Sequence, residues 1–305
     1  MKKLRLGSSD LEVSEISLGC MRMSSLSKKD AAYVVENALD LGVDFFDHAD
    51  IYGAGESEEV FAQAIDMNPS IRKKIFLQSK CGIRKGFFDF SKDHIISSVE
   101  GNLNRLNTDY LDVLLLHRPD ALMEPEEVAE AFTKLKAEGK VRYFGVSNQN
   151  PYQMELLSKY LEDDLIVNQM QLSLLHTPMI DAGLNVNMGN ESGIDRDNGI
   201  LEYCRLNNIT VQAWSPFQYG LIKGPFIDNS DFPEVNAKLT EFAEKKGVTN
   251  SAIAIAWILR HPANIQPVVG TMNPERLQHI EKATNVALTR EEWYELYRAA
   301  GNVLP

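Results

Sequence analysis

Apolar residues along this chain alternate between two rhythms. Short runs that are apolar nearly throughout (residues 16–19, 43–46, 75–80, 111–117, 141–146, 165–169, 209–214 and 265–269) are each followed by a stretch with helical spacing of apolar positions or by a long loop leading to one. The runs have the length of strands buried on both faces, and the stretches have the single apolar stripe of helices packed on a sheet. Ala31, Val34, Val35 and Ala38 after Ser27 make one such stripe, and Val128, Ala131, Phe132 and Leu135 after Pro125 make another. Their ends are punctuated accordingly. Ser27 caps, Gly42 and Gly139 terminate, Asn150-Pro151 is a cap with a first-turn proline, and Thr289-x-x-Glu292 is a capping box.

Eight strand–helix units with uniformly apolar strands predict a parallel sheet covered by helices on its outer side, closed as a (β/α)8 or TIM barrel. An open dinucleotide-binding sheet would place G-x-G-x-x-G after the first strand, and that motif is absent. Leu4 to Leu6 and Leu11 to Val13, around Gly7-Ser8-Ser9-Asp10, predict a small hairpin ahead of the barrel. Extra helices are expected near the C-terminus, at residues 235–246, 251–260, from Pro274 and from Thr289. Residues 177–198, rich in Gly, Asn and Asp, read as a long loop that is a functional excursion or partly mobile. No linker interrupts the pattern, so one domain over residues 1–305 is expected.

Composition narrows the function. The 305 residues are 44% hydrophobic and carry a formal charge of −12, which argues against nucleic acid or an anionic membrane surface as partner. Cys20, Cys81 and Cys204 are far apart, with no metal-ligand spacing, so no metal is expected and a reducing cytoplasm suits them. The chain shows no apolar signal segment after Lys2-Lys3 and no run long enough to span a bilayer. Oligomeric state is left open, with a monomer as the default.

The candidate chemistry lies where the strands end, because a barrel brings all its strand C-termini to one face. The second strand runs into Asp47-His48-Ala49-Asp50-Ile51-Tyr52-Gly53. A tyrosine serves as an acid near neutrality when a nearby cation lowers its pKa, and Lys80 ends the next strand. His117 ends the fourth. Strands five to seven end in Ser147-Asn148, Asn168-Gln169 and Trp214-Ser215, hydroxyl, amide and flat aromatic groups suited to a planar ring bearing a carboxamide. His48 and Asp50 compete for catalytic roles, whereas His176 and His279 read as loop or surface residues.

These residues resemble the aldo-keto reductases, (β/α)8 enzymes that use NADP(H). The resemblance runs over nearly the whole chain, through Phe46-Asp47-His48-Ala49-Asp50-Ile51-Tyr52-Gly53, Ser79-Lys80, Leu115-Leu116-His117-Arg118-Pro119-Asp120, Gly145-Val146-Ser147-Asn148, Asn168-Gln169, Trp214-Ser215-Pro216 and residues 270–276. The wording of the second and third strand ends is most like bacterial oxidoreductases of the YdhF type. The resemblance implies NADPH-dependent reduction of a small-molecule aldehyde or ketone to an alcohol. It makes Tyr52 the general acid, Lys80 the cation beside it, Asp47 the carboxylate that holds Lys80, and His117 the group that orients the carbonyl. For the cofactor it implies Gly19 and Met21, then Ser147, Asn148 and Gln169 at the carboxamide and Trp214 under the ring. Ser215, Phe217, Gly220 and Leu221 would line the pyrophosphate, and Gly270, Thr271 and Arg276 the 2′-phosphate. His48 stands for the family's threonine, Ser215-Pro216-Phe217-Gln218 for S-P-L-G, and His279 and Ile280 for the usual acidic and amide residues.

Two other functions fit the same residues. Lys80 as a Schiff-base nucleophile would make a lyase, and a barrel that binds NADP(H) without turnover would be a sensing subunit. Specificity is expected in the loops 21–26, 84–90, 172–194 and 217–232. Within them Phe87, Phe88 and Phe90 form an apolar wall or pack the loop onto the barrel.

Overall fold

The computed structural model describes residues 1–305. Eight parallel strands close into a barrel: Ser17–Gly19, Phe45–Asp47, Phe76–Cys81, Leu111–Leu116, Val141–Ser147, Leu165–Gln171, Thr210–Trp214 and Gln266–Val269. The eighth pairs with the first through Val268–Ser17 and Val269–Leu18. The large apolar core lies between these strands and the surrounding helices, where stripes such as Ala31, Val34, Val35 and Ala38 are buried. The capping residues act as their types require. Ser27, Asn150 and Thr289 accept backbone N–H bonds at their helix starts, and the last two form full capping boxes.

The hairpin, Lys3–Arg5 with Glu12–Ser14, closes the N-terminal end of the barrel. Leu6, Leu11 and Val13 pack there in a second core with Phe45, Val113, Leu115, Ile166 and Val167. Gly7 makes that possible. Its φ is +56°, its N–H bonds Thr210 Oγ1 at 2.8 Å, and a Cβ would sit 2.3 Å from the Ile166 carbonyl oxygen.

Two segments differ from expectation. Residues 177–198 are not a plain loop, for they contain a helix, Pro178–Leu184, and a turn of 3-10 helix, Glu191–Gly193. Met179 and Ile180 bury the helix, while Tyr297 Oη donates to Asp181 at 2.6 Å and ties it to the last helix, Arg290–Ala299. Residues 83–88 fold as a second hairpin, Ile83–Arg84 with Phe87–Phe88. Phe90, just beyond it, is buried and packs the loop onto the barrel, whereas Phe87 and Phe88 stand out at 55% and 43% exposure. No helix is long and apolar enough to cross a membrane.

Candidate active site

Asp47 ends the second strand in register with Gly19 on one side and Gln78 on the other. Successive side chains of a strand point to opposite faces, so Gln78 and Lys80 share the inner face while Ser79 looks outward. The Lys80 ammonium is fully buried and donates to both Asp47 carboxylate oxygens, at 2.7 and 2.8 Å, and to the His48 carbonyl at 2.8 Å. It also lies 3.3 Å from Tyr52 Oη. Burial works against the ammonium, but Asp47, followed by Tyr52, outweighs it and holds the Lys80 pKa above the ordinary lysine value. A lysine so held is a poor Schiff-base nucleophile.

Tyr52 reaches this position through an abrupt turn. Gly53, Ala54 and Gly55 all have positive φ, at +58°, +55° and +98°, and carry the chain from the strand end into the helix Glu56–Ala64. Tyr52 does not have the lowered pKa that its proximity to Lys80 predicts. Burial raises it above the ordinary phenol value, Lys80 pulls it back, and the Asp47 charge adds to the rise. The hydroxyl therefore keeps its proton at neutral pH.

The His117 ring stands edge-on to Tyr52, with centroids 5.9 Å apart, and its Nδ1 is buried without a protein partner. Burial, then Lys80 and Arg118, hold its pKa well below the usual histidine range, so the ring is neutral. His48 lies elsewhere. Its buried ring packs edge-on against Phe61 at 4.6 Å, both nitrogens lack partners, and burial with the Lys80 charge pushes it down to about 3. Only its carbonyl serves the cluster. Asp50 is half-buried, and burial with the neighbouring Glu58, against Arg105, pushes its carboxyl up to about 7.

Beside the tetrad of Asp47, Tyr52, Lys80 and His117, Trp214 Nε1 donates to Asn148 Oδ1 at 3.2 Å, and Asn148 Nδ2 donates to Ser147 Oγ at 2.7 Å. The Ser147 hydroxyl donates to the Gln169 carbonyl at 3.0 Å. The side-chain amide of Gln169 is turned inward, donating to Asp47 Oδ1 and to Gln212 Oε1, each at 3.0 Å. It belongs to a layer that sequence reasoning missed. Gln78 Nε2 donates to Asp47 Oδ1 at 2.6 Å and to Gln212 Oε1 at 2.8 Å, Gln212 donates to Gln266, and Gln266 donates to the Ser14 carbonyl. Register explains the layer, since Gln169, Gln212 and Gln266 are direct partners on adjacent strands.

The remaining predicted cofactor residues follow the first, seventh and eighth strands. Met21 is 44% and Leu221 63% exposed, Ser215 has φ +52°, and the Gly220 carbonyl accepts from Gln171 Nε2 at 2.6 Å. Phe217 pairs through its carbonyl with Phe226 N–H. Gly270 lies after strand eight, its carbonyl accepting from Arg22 Nη1 at 3.0 Å, and Arg22 is a second guanidinium at this corner that the sequence did not single out. Thr271 Oγ1 accepts from Asn273 N–H. Arg276 is exposed in the first turn of the helix Pro274–Glu281, where Asn273 caps its N–H, and its guanidinium makes no ion pair or hydrogen bond within the chain. Ile280 is buried in the core.

Known proteins resemble this chain over nearly their whole length. The chain is 34% identical over 313 residues to the 6-dehydroglucose reductase of Agrobacterium fabrum (strain C58), with 98% of each chain covered. It is 34% identical over 301 residues to Oxidoreductase YdhF of Escherichia coli (strain K12), covering 95% and 94%. The crystal structure of an aldo-keto reductase from Klebsiella pneumoniae in complex with NADPH superposes with a TM-score of 0.77 at 26% identity, covering 100% of this chain and 96% of that one. Residues 15–300 match the model of the aldo/keto reductase family. By this match and these full-chain similarities, this chain belongs to the aldo/keto reductase family and is an oxidoreductase.

Proposed function

We propose that the protein reduces an aldehyde or ketone to an alcohol with NADPH, taking the proton from Tyr52. The observation that carries this reading is the Lys80 ammonium, held by both oxygens of Asp47 and 3.3 Å from the Tyr52 hydroxyl. The donor set fits a nicotinamide dinucleotide. An amide, a hydroxyl and an indole adjoin the tetrad, and an unspent guanidinium waits at a helix N-terminus, where a phosphate is favoured. When bound, that cofactor supplies the hydride.

The chain's own residues supply the rest. His117, neutral and with one N–H to donate, orients the carbonyl oxygen but is a weak competitor as proton source. Tyr52 is the loaded acid. As negative charge grows on the carbonyl oxygen, its proton moves across, and Lys80 stabilises the phenolate left behind. Asp47 fixes Lys80 in place, with Gln78 and Gln169 fixing Asp47. The reading rests on a complete tetrad, which favours turnover over a sensing role.

Tyr52→Phe keeps the ring and removes the acid. NADPH binding is expected to persist while kcat falls on the order of 10²–10⁴-fold. Wild-type kcat in that variant would sink the assignment. For the cofactor's far end, Arg276→Ala is expected to weaken NADPH about 10- to 100-fold and leave NADH nearly unchanged, as loss of one charge-assisted contact implies. Equal weakening of both would remove Arg276 from the 2′-phosphate site.

A further inference from the structure

Arg118 directly follows His117, and its guanidinium lies over the Trp214 indole, 5.4 Å from the ring centroid. Of the four arginines that are buried or half-buried, the other three are spent on the protein. Arg72 and Arg142 hold Asp112, and Arg105 holds Glu58 and Asn102. Arg118 makes no ion pair and no hydrogen bond, although it has five N–H donors in a planar fork. Leaving a half-buried cation with only an aromatic face for company costs free energy, so its five donors beside His117 are available to a ligand.

Three acids of the strand-end face are committed to other groups, and none of them pairs with Arg118. Asp120, two residues on, is committed to the N–H groups of Phe90 and Leu122. Asp47 is saturated by Lys80, Gln78 and Gln169. Glu58 is closed by Ser79 and Arg105. Meanwhile Arg118 is in electrostatic contact with the two groups that would hold the carbonyl. Tyr52 acts on the Arg118 charge, and Arg118 in turn helps keep His117 neutral.

The geometry points to Arg118 as the residue that receives an anionic group of the substrate, making short oxo acids, with a carboxylate within a few bonds of the aldehyde or ketone, the preferred carbonyl compounds. This rests on the reading of the tetrad as a carbonyl-reducing site. The carboxylate would bridge two guanidinium N–H groups while the carbonyl oxygen meets Tyr52 and His117, so one end of a short molecule fixes the other. The chain as a whole carries a charge of −12, so without Arg118 the site would offer a carboxylate little attraction.

The test compares 4-oxobutanoate and 2-carboxybenzaldehyde with their uncharged primary amides in wild type, Arg118→Gln and Arg118→Lys. Wild type is expected to favour each acid over its amide in kcat/KM. Arg118→Gln should cut that ratio about 10- to 100-fold, and Arg118→Lys should retain part of it. An acid-to-amide ratio unchanged by Arg118→Gln overturns the proposal, as does an equal loss on both. A second measurement separates this from the reductase reading. Calorimetric titration of butanoate, which cannot be reduced, with and without NADP⁺, should show binding to wild type that Arg118→Gln lacks. Such binding without turnover of any aldehyde would uphold Arg118 and defeat carbonyl reduction. Turnover without any Arg118-dependent carboxylate binding would do the reverse.

Discussion

Two buried aspartates lie at opposite ends of the same barrel, each against a cation. Asp112, at the start of the fourth strand, takes Arg72 at 2.6 Å and the Leu77 N–H on one oxygen, and Arg142 at 2.8 Å on the other. Arg72 spends its other donors on Thr108 and on the carbonyls of Ile75 and Tyr110, and lies 3.8 Å over the Tyr110 ring. That cluster is closed. Asp47, at the end of the second strand, takes Lys80, Gln78 and Gln169, but its cation leads on to a fourth oxygen, the Tyr52 hydroxyl, whose own proton has no acceptor in the chain. Burial and ion pairing are common to both. What separates the structural cluster from the one proposed to react is the open donor at the end of the chain of bonds, on the face where all strand ends meet.

Removing one partner from each cluster tests that contrast most severely. Asp112→Asn leaves Arg72 and Arg142 without their countercharge, and breaking a buried pair costs about 3–5 kcal/mol. The expected outcome is a large fall in the urea midpoint with kcat unchanged for the folded fraction. Lys80→Met also strips a buried carboxylate of its cation, yet its larger signature should be kcat, down on the order of 10²–10⁴-fold once folding is controlled for by assaying well below the midpoint. Should Asp112→Asn reduce kcat of the folded protein as much as Lys80→Met does, the two ends are not distinct.

Next in size is a pH effect at the open end. Asp50 has Oδ1 buried without a partner and a carboxyl pushed up to about 7. Between the unfolded carboxyl value, about 4, and 7 the folded chain binds the extra proton, so stability is fully present below the lower value and falls as pH rises through the window. Asp50→Asn should flatten this slope, raising the urea midpoint at pH 8 and leaving it nearly unchanged at pH 4. An unaltered slope would mean that Asp50 finds a partner in solution.

Much of this was legible in the chain because it is encoded locally. A run of apolar residues that stops at Asp47, Lys80 or His117 marks a strand end, and the barrel brings such ends together whatever lies between them. The rise in the Tyr52 pKa was not legible, because desolvation depends on what covers the ring, and coverage comes from elements far away in sequence. Gln78 was overlooked although parity contained it, for Gln78 and Lys80 are two apart on one strand and so face the same way. Arg118 read as part of a motif, since only packing shows that a half-buried guanidinium has no acid. The helix Pro178–Leu184 was hidden by the Gly- and Asn-rich residues around it. Its two core residues, Met179 and Ile180, are too few to make a period.

The smallest effect is expected at Gln78, which supports the open cluster without belonging to its chain of proton and charge. Its amide nitrogen donates to Asp47 and Gln212, while its Oε1 is buried with no partner. Gln78→Leu thus removes an unsatisfied acceptor along with two donations, and the stability change should be small because the loss and the relief oppose each other. Asp47 keeps both bonds from Lys80 and one from Gln169. A hydrogen bond to a charged group is worth about 1.5–3 kcal/mol, but only the part that differs between ground and transition states reaches kcat. Roughly a tenfold fall in kcat is expected, with the NADPH Kd held. A merely packing role would leave the pH profile of kcat in place, whereas loosening Asp47 weakens its hold on Lys80 and should move the limb governed by Tyr52. If Gln78→Leu is as damaging as Lys80→Met, the glutamine layer is part of the reactive cluster, and openness at Tyr52 is not what distinguishes the two ends.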